Sequence, residues 1–285
     1  MKRNIIVLSI LFLIVTACAG SESTPKEFQT DETQTKGPSS PTQTYTPTME
    51  PTATSTPRPT IDLELVLTPE TTVEYELTYK ILKTSDDVQI TMKKFGEGDL
   101  TVILAHQGTI GANQRDWEPF ARMIAERGYR AVTLDFRGYG HSKGDMTMKY
   151  FLIRDMRAVI EYLKTEGYER LVCIGASMGG TTCLRAAVEY PLVGLVVIGS
   201  MMNQGEPTNT TEEELAALTM PKLFITTEND IYSEIPESIQ SMYKIAQEPK
   251  QIQIFPGEAH GTQMFFQPYG EEFTAMLLAF LEWVR

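Results

Sequence analysis

Short runs rich in Val, Ile and Leu recur along the chain from residue 73 onward, and the stretches between them carry apolar residues at helical spacing. Such alternation predicts a largely parallel sheet with helices on both faces, because strands buried on both sides read as continuous apolar runs. Two segments at the start differ. Residues 73–82 and 88–95 alternate polar with apolar positions and are joined by 83–87, which predicts an antiparallel hairpin at one edge. Beyond it the pattern predicts strands at 101–105, 130–134, 171–174, 193–198, 222–226 and 251–255, making eight in all. Helices are predicted over 117–127, 148–165, 179–189, 237–246 and 271–283. The first two stop at Gly128 and Gly167, as helices do when the chain turns left-handed. Residues 199–220 form a polar insertion with helical spacing only at 212–218.

In an open sheet of this kind, ligands bind beyond the carboxyl ends of the strands, where loops converge and helix N-termini point inward. Four of those loops carry chemistry. Gly175-Ala176-Ser177-Met178-Gly179 places one serine between glycines at a predicted strand-to-helix turn, the arrangement that exposes a nucleophilic hydroxyl above a sheet. The glycines are needed where neighbouring backbone approaches closely. Met178 N–H, at the start of the helix, is placed to hold a developing oxyanion. A serine hydroxyl needs a base, and the chain has three histidines. His106 ends the third strand and reads as a hydrogen-bonded structural residue. His141 lies in a polar turn, and His260 follows the eighth strand in Pro256-Gly257-Glu258-Ala259-His260-Gly261. The loop after the seventh strand supplies a carboxylate to orient an imidazole, Asp230 with Glu228 as its rival. Three histidines on separate loops do not suggest a metal site, and no cofactor motif is present.

The order Ser177, Asp230, His260 resembles that of the α/β-hydrolases, and the likeness extends over residues 73–285. Leu104-Ala105-His106-Gln107-Gly108 resembles the family's His-Gly loop, which contributes the second oxyanion donor. Asp135-Phe136-Arg137-Gly138-Tyr139-Gly140-His141-Ser142 resembles its structural turn after the fourth strand. The resemblance implies an α/β-hydrolase fold with an eight-stranded, mostly parallel sheet and a minimal or absent cap. It also implies a triad of Ser177, His260 and Asp230, with Met178 and Gly108 N–H groups as the oxyanion hole. Gln107 stands where the family commonly has glycine, so Gln107 N–H is the alternative to Gly108. The implied activity is a serine esterase acting on a small-to-medium acyl ester. Peptidase, thioesterase, acyl transferase and a non-catalytic binding head of the same fold remain alternatives.

The N-terminus adds a setting. Lys2 and Arg3 precede an apolar run over residues 5–15, too short for an ordinary membrane span, and small residues lead to Cys18. Residues 15–18 resemble a bacterial lipobox, which implies a signal peptide over 1–17, lipidation at Cys18 and an anchor on the outer membrane face. The other reading is an ordinary signal with a chance cysteine. Residues 21–60 hold no Val, Ile or Leu but seven of the 16 prolines, so 18–64 reads as a disordered linker and 65–285 as the enzyme domain. Net charge is −12, or −14 without Lys2 and Arg3, which argues against nucleic acid as a partner. Cys173 and Cys183 read as small buried hydrophobes, able to pair only if the geometry allows. Met178, Met201, Met202, Met264, Phe265 and Phe266 fall near the loops of interest, equally readable as an apolar substrate wall or as core filler.

Overall fold

A computed structural model describes residues 78–203 and 205–285, which lie in the second of the chain's two compact units, Pro57–Arg285. The expectations for the signal, for Cys18, for the linker and for residues 65–77 fall outside the described residues.

All eight strands are present: β1 (Thr78–Lys83), β2 (Gln89–Phe95), β3 (Thr101–Ala105), β4 (Arg130–Asp135), β5 (Leu171–Ala176), β6 (Gly194–Ile198), β7 (Lys222–Thr227) and β8 (Lys250–Phe255). They form one sheet in the order β1-β2-β4-β3-β5-β6-β7-β8. Strand β2 is antiparallel to both β1 and β4, and every other pairing is parallel, so the predicted edge hairpin is present. Among the described residues five α-helices lie between strands and a sixth follows β8: α1 (Glu118–Glu126), α2 (Leu152–Thr165), α3 (Met178–Glu189), α4 (Glu212–Ala217), α5 (Ile235–Ile245) and α6 (Gly270–Val284).

The period of two along each central strand divides the core into two layers. Ile103, Cys173, Leu195, Val197 and Phe224 face one side and pack with α2, α3 and α5. Val102, Val172, Ile174, Val196 and Ile225 face the other and pack with α1 and α6. The continuous apolar runs are therefore strands that are wet on neither face.

Two helices start differently from the periodic pattern. Residues Gln114–Trp117 form a 3-10 turn capped by the Asn113 side chain, and α1 follows with a proline in its first turn. Met146–Phe151 forms a second 3-10 turn with a non-helical Met148, so regular helix begins at Leu152 instead of 148. Both shifts have the same cause: a local cap, Asn113 or Asp145, starts the chain turning before the amphipathic face begins. Among the described residues, the insertion between β6 and β7 carries one helix, the six-residue α4. A Thr211 and Glu214 capping box starts it, and Arg185 of α3 holds it through Glu214 at 2.9 Å.

Candidate active site

Ser177 sits at the sharp turn between β5 and α3 with φ 51° and ψ −121°, a conformation L-residues avoid and that surrounding structure must enforce. The enforcement is visible. Ser177 N–H donates to Ile198 O of β6 at 2.8 Å, and Ser177 O accepts from Gly180 N–H at 2.8 Å and Thr181 N–H at 3.1 Å. Ser200 adds its hydroxyl, 2.8 Å from Ser177 O, a brace that the sequence reading missed. A Cβ on Gly175 would lie 2.3 Å from Gly179 O, and one on Gly179 would lie 2.3 Å from Ala105 O. Both flanking glycines are thus required by backbone, not merely tolerated.

Cys173 and Cys183 form a disulfide, with Cα atoms 5.5 Å apart. Both are small buried residues, as expected, and of the two readings left open for them, pairing is the one the structure shows. Cys183 falls on the face of α3 that packs down on β5, directly over Cys173, and both are fully buried. The bond therefore staples the strand before Ser177 to the helix after it.

The loop after β3 is held by distant groups. Phe136 N–H donates to His106 Nε2 at 3.1 Å, which leaves the proton on Nδ1 to donate to Gln107 O at 2.7 Å. Burial pushes the His106 pKa down to about 4, so the ring is neutral and structural, as expected. Because a trans peptide sets N–H opposite C=O, fixing Gln107 O directs Gly108 N–H to the other side. Tyr139 hydroxyl donates to Gly108 O at 3.1 Å. A Cβ on Gly108 would lie 2.9 Å from Met178 Sδ and 3.4 Å from Met178 Cβ, so the two expected oxyanion residues are neighbours.

Acid and base come from the loops after β7 and β8. Glu228 N–H donates to Phe255 O at 2.8 Å, Asn229 N–H to Gly257 O at 3.0 Å, and Thr227 hydroxyl to Ala259 O at 3.1 Å. With the loops laced together, His260 Nδ1 lies 2.9 Å from Asp230 Oδ2 and 3.0 Å from Oδ1. Asp230 and His260 are buried, whereas Glu228 is exposed, so the carboxylate beside the imidazole is that of Asp230. Tyr232 packs edge-on against the His260 ring at 4.8 Å and donates its N–H to Asp230 Oδ1 at 3.0 Å. Gly199 closes the end of β6 beside the pair: a Cβ there would lie 3.4 Å from both Asp230 Oδ2 and His260 Nδ1, an ordinary contact, and it is the left-handed φ of +54° that favours glycine. Neither Tyr232 nor Gly199 carried a signal in the sequence. His260 Nε2 is buried and has no hydrogen-bond partner. The next residue, Gly261, lies beside Ala176, where a Cβ would be 3.3 Å away, so the histidine loop packs against the residue that precedes Ser177.

The remaining sequence candidates separate cleanly. His141 is largely exposed, 3.7 Å from Asp135. Asp135 itself is buried and accepts from Gln114 N–H at 2.8 Å, Thr91 hydroxyl at 2.9 Å and His141 N–H at 2.9 Å, which makes its turn structural. Met264 is core, and Phe265 packs on Trp117, Phe120 and Phe273. Phe266 is exposed. Met178, beside Gly108, and the partly buried Met201 and Met202 belong to the core layer opposite that of Met264 and Phe265. The methionine and phenylalanine cluster is therefore not one wall.

Residues 101–227 match a family model described as alpha/beta hydrolase fold. A human protein named serine hydrolase BPHL is 33% identical over 107 residues, covering 36% of this chain and 36% of its own length. A carboxylesterase of Bacillus subtilis is 31% identical over 111 residues, covering 38% of this chain and 44% of its own. The chain thus spans less than half the length of these two relatives. An esterase of Pyrococcus furiosus superposes with a TM-score of 0.60 at 21% identity, covering 73% of this chain and 92% of that one. Sheet order, the strained serine at the β5–α3 turn and the family match converge on one conclusion: the domain has the α/β-hydrolase fold.

Proposed function

We propose that this chain is a serine hydrolase that cleaves a small-to-medium acyl ester through an acyl-enzyme. The observation that carries the reading is the buried pair of His260 and Asp230, 2.9 Å apart, with His260 Nε2 left unpartnered and the histidine loop packed through Gly261 on Ala176, the residue before the strained Ser177. A carboxylate on Nδ1 fixes the tautomer that leaves Nε2 free to accept a proton. In the reaction, Ser177 Oγ bonds to the acyl carbon as its proton passes to Nε2. Met178 and Gly108 N–H groups stabilise the oxyanion. The C–O bond to the alcohol then breaks, with the alcohol leaving on the proton from His260. Water, deprotonated by the same ring, attacks the acyl-enzyme and restores Ser177. Exposed Ile110, Ile231, Tyr232 and Phe266 on the loops after β3, β7 and β8 support an apolar acyl or alcohol group.

The proposed setting is outside the cytoplasm, with the chain anchored by lipid at Cys18 after removal of residues 1–17 and held off the membrane by the linker. The buried Cys173–Cys183 disulfide supports export, since such bonds persist in oxidising compartments.

A fluorophosphonate probe should label Ser177, and Ser177→Ala should lose both labelling and nitrophenyl-ester turnover by about 10⁴-fold or more. Turnover that survives Ser177→Ala overturns the mechanism. Asp230→Asn should lower kcat by about 10³- to 10⁴-fold, while Glu228→Gln should stay within about twofold of the parent. The opposite ranking would reassign the acid.

A further inference from the structure

The side chain of Gln107 has no part in the chemistry above, yet it is buried and bridges two of the loops that build the site. Its Oε1 accepts from Thr262 N–H at 2.9 Å and from the Thr262 hydroxyl at 3.3 Å. Its Nε2 donates to Thr109 Oγ1 at 3.3 Å. Thr262 lies two residues after His260 and Thr109 one after Gly108, so one amide spans the base loop and the oxyanion loop across 155 positions of sequence. The fit is reciprocal. Gly261 has φ +57°, and a Cβ there would lie 2.0 Å from Gln107 Oε1, so the histidine loop leaves room for this side chain and for little else. A glycine at 107 could make none of these bonds.

We propose that Gln107 is a positioning residue that sets His260 relative to the oxyanion donor, coupling base and oxyanion hole through Thr262. The inference rests on the serine-hydrolase reading above. The physical basis is that reacting groups tolerate little displacement, and a shift of about 1 Å can cost about 10²-fold in rate. Thr262 N–H is buried, and Gln107 Oε1 is its acceptor, so losing that oxygen frees the loop that follows the base.

The test compares Gln107→Met, which keeps volume but loses every bond, with Gln107→Glu, which keeps both acceptor contacts to Thr262. Four readouts are needed: kcat and KM on a nitrophenyl ester, inhibition by a boronic acid that forms a tetrahedral adduct on serine, the pH profile, and the melting temperature. Gln107→Met should lower kcat by about 10- to 100-fold and weaken the boronate by a similar factor, with KM within about twofold. Gln107→Glu should recover most of kcat, with the variants compared on the plateau of the pH profile so that the added carboxyl group does not distort the ranking. Unchanged kcat and boronate affinity in Gln107→Met would make the residue purely structural, whatever its melting temperature. A Gln107→Glu variant as slow as Gln107→Met would also overturn the proposal. Failure of the probe to label Ser177 in the unmutated protein would instead overturn the underlying reading, and this one with it.

Discussion

Two turns meet at the site, and they are held in opposite ways. The Ser177 turn is fixed by its own neighbourhood: Gly175 and Gly179 meet backbone at 2.3 Å, the N-terminus of α3 closes on Ser177 O, and a disulfide ten residues long spans the whole. The turn after β3 makes few local bonds of that kind. His106 reaches Phe136, Gly108 O is held by Tyr139, and Gln107 reaches Thr262. One turn is a backbone device and the other a side-chain device. They should therefore fail differently, the first abruptly and without remedy, the second gradually and with a partner able to compensate.

The largest effect tests the backbone half. Gly179→Ala drives a Cβ to 2.3 Å from Ala105 O and 2.7 Å from His106 O, atoms that cannot move without displacing β3. The cost should exceed about 4 kcal/mol, enough to deplete folded protein altogether. Soluble expression and thermal melting would show this. A well-folded Gly179→Ala protein that keeps its fluorophosphonate labelling would break the comparison at its strongest point.

Next comes the histidine that holds the β3 turn. Its folded pKa of about 4 lies below the ordinary 6.5, so between those values the unfolded chain binds the proton that the folded one refuses. Stability from this residue is complete above about pH 6.5, is lost as pH falls toward 4, and stops changing below it. The full difference is about 3 kcal/mol. With three histidines in the chain, ring NMR can follow each one. His106 should stay neutral at pH 5, and a titration near 6.5 would mean the ring does not bridge Phe136 and Gln107.

The same contrast explains what could be read from the sequence. Every strand of the sheet, the edge hairpin and the Ser177 turn were legible, because each depends on residues within a few positions of one another. Asp230 and His260 were legible only as an order of loops. What chose Asp230 over Glu228 was burial and the lacing of the β7 and β8 loops by backbone bonds, which no local pattern encodes. The Ser200 hydroxyl reaches Ser177 across 23 positions and the Gln107 carbonyl reaches Thr262 across 155, so nothing near them in sequence announces a role. The cysteines were legible as residues but not as a bond, since pairing needed the register of α3 on β5.

That bond gives the third test. Closing a loop of about ten residues restricts the unfolded chain by about 2–3 kcal/mol in the entropy model, so Cys173→Ala with Cys183→Ala should lower stability by that amount. Activity per folded molecule should change little, because the glycines and backbone bonds still enforce the Ser177 conformation. A large loss of kcat at full folding would show that the staple, not the backbone, holds the nucleophile.

The smallest effect is the most discriminating, because it asks whether the side-chain half can be repaired. Gly261→Ala meets a left-handed φ of +57°, costing about 1 kcal/mol for a residue with a Cβ, a tight contact at 3.3 Å with Ala176 Cβ, and a clash at 2.0 Å with Gln107 Oε1. Shortening the partner to Gln107→Ala removes the clash and leaves the other two. The double variant should therefore be more stable than the sum of the two single changes by about 1–2 kcal/mol, a coupling measurable by denaturant unfolding of the four proteins. No side-chain truncation can offer Gly179→Ala the same relief, since its obstacle is the carbonyl of Ala105. Strict additivity at 107 and 261 would mean that the two loops yield independently and that the bridge between them carries no energy.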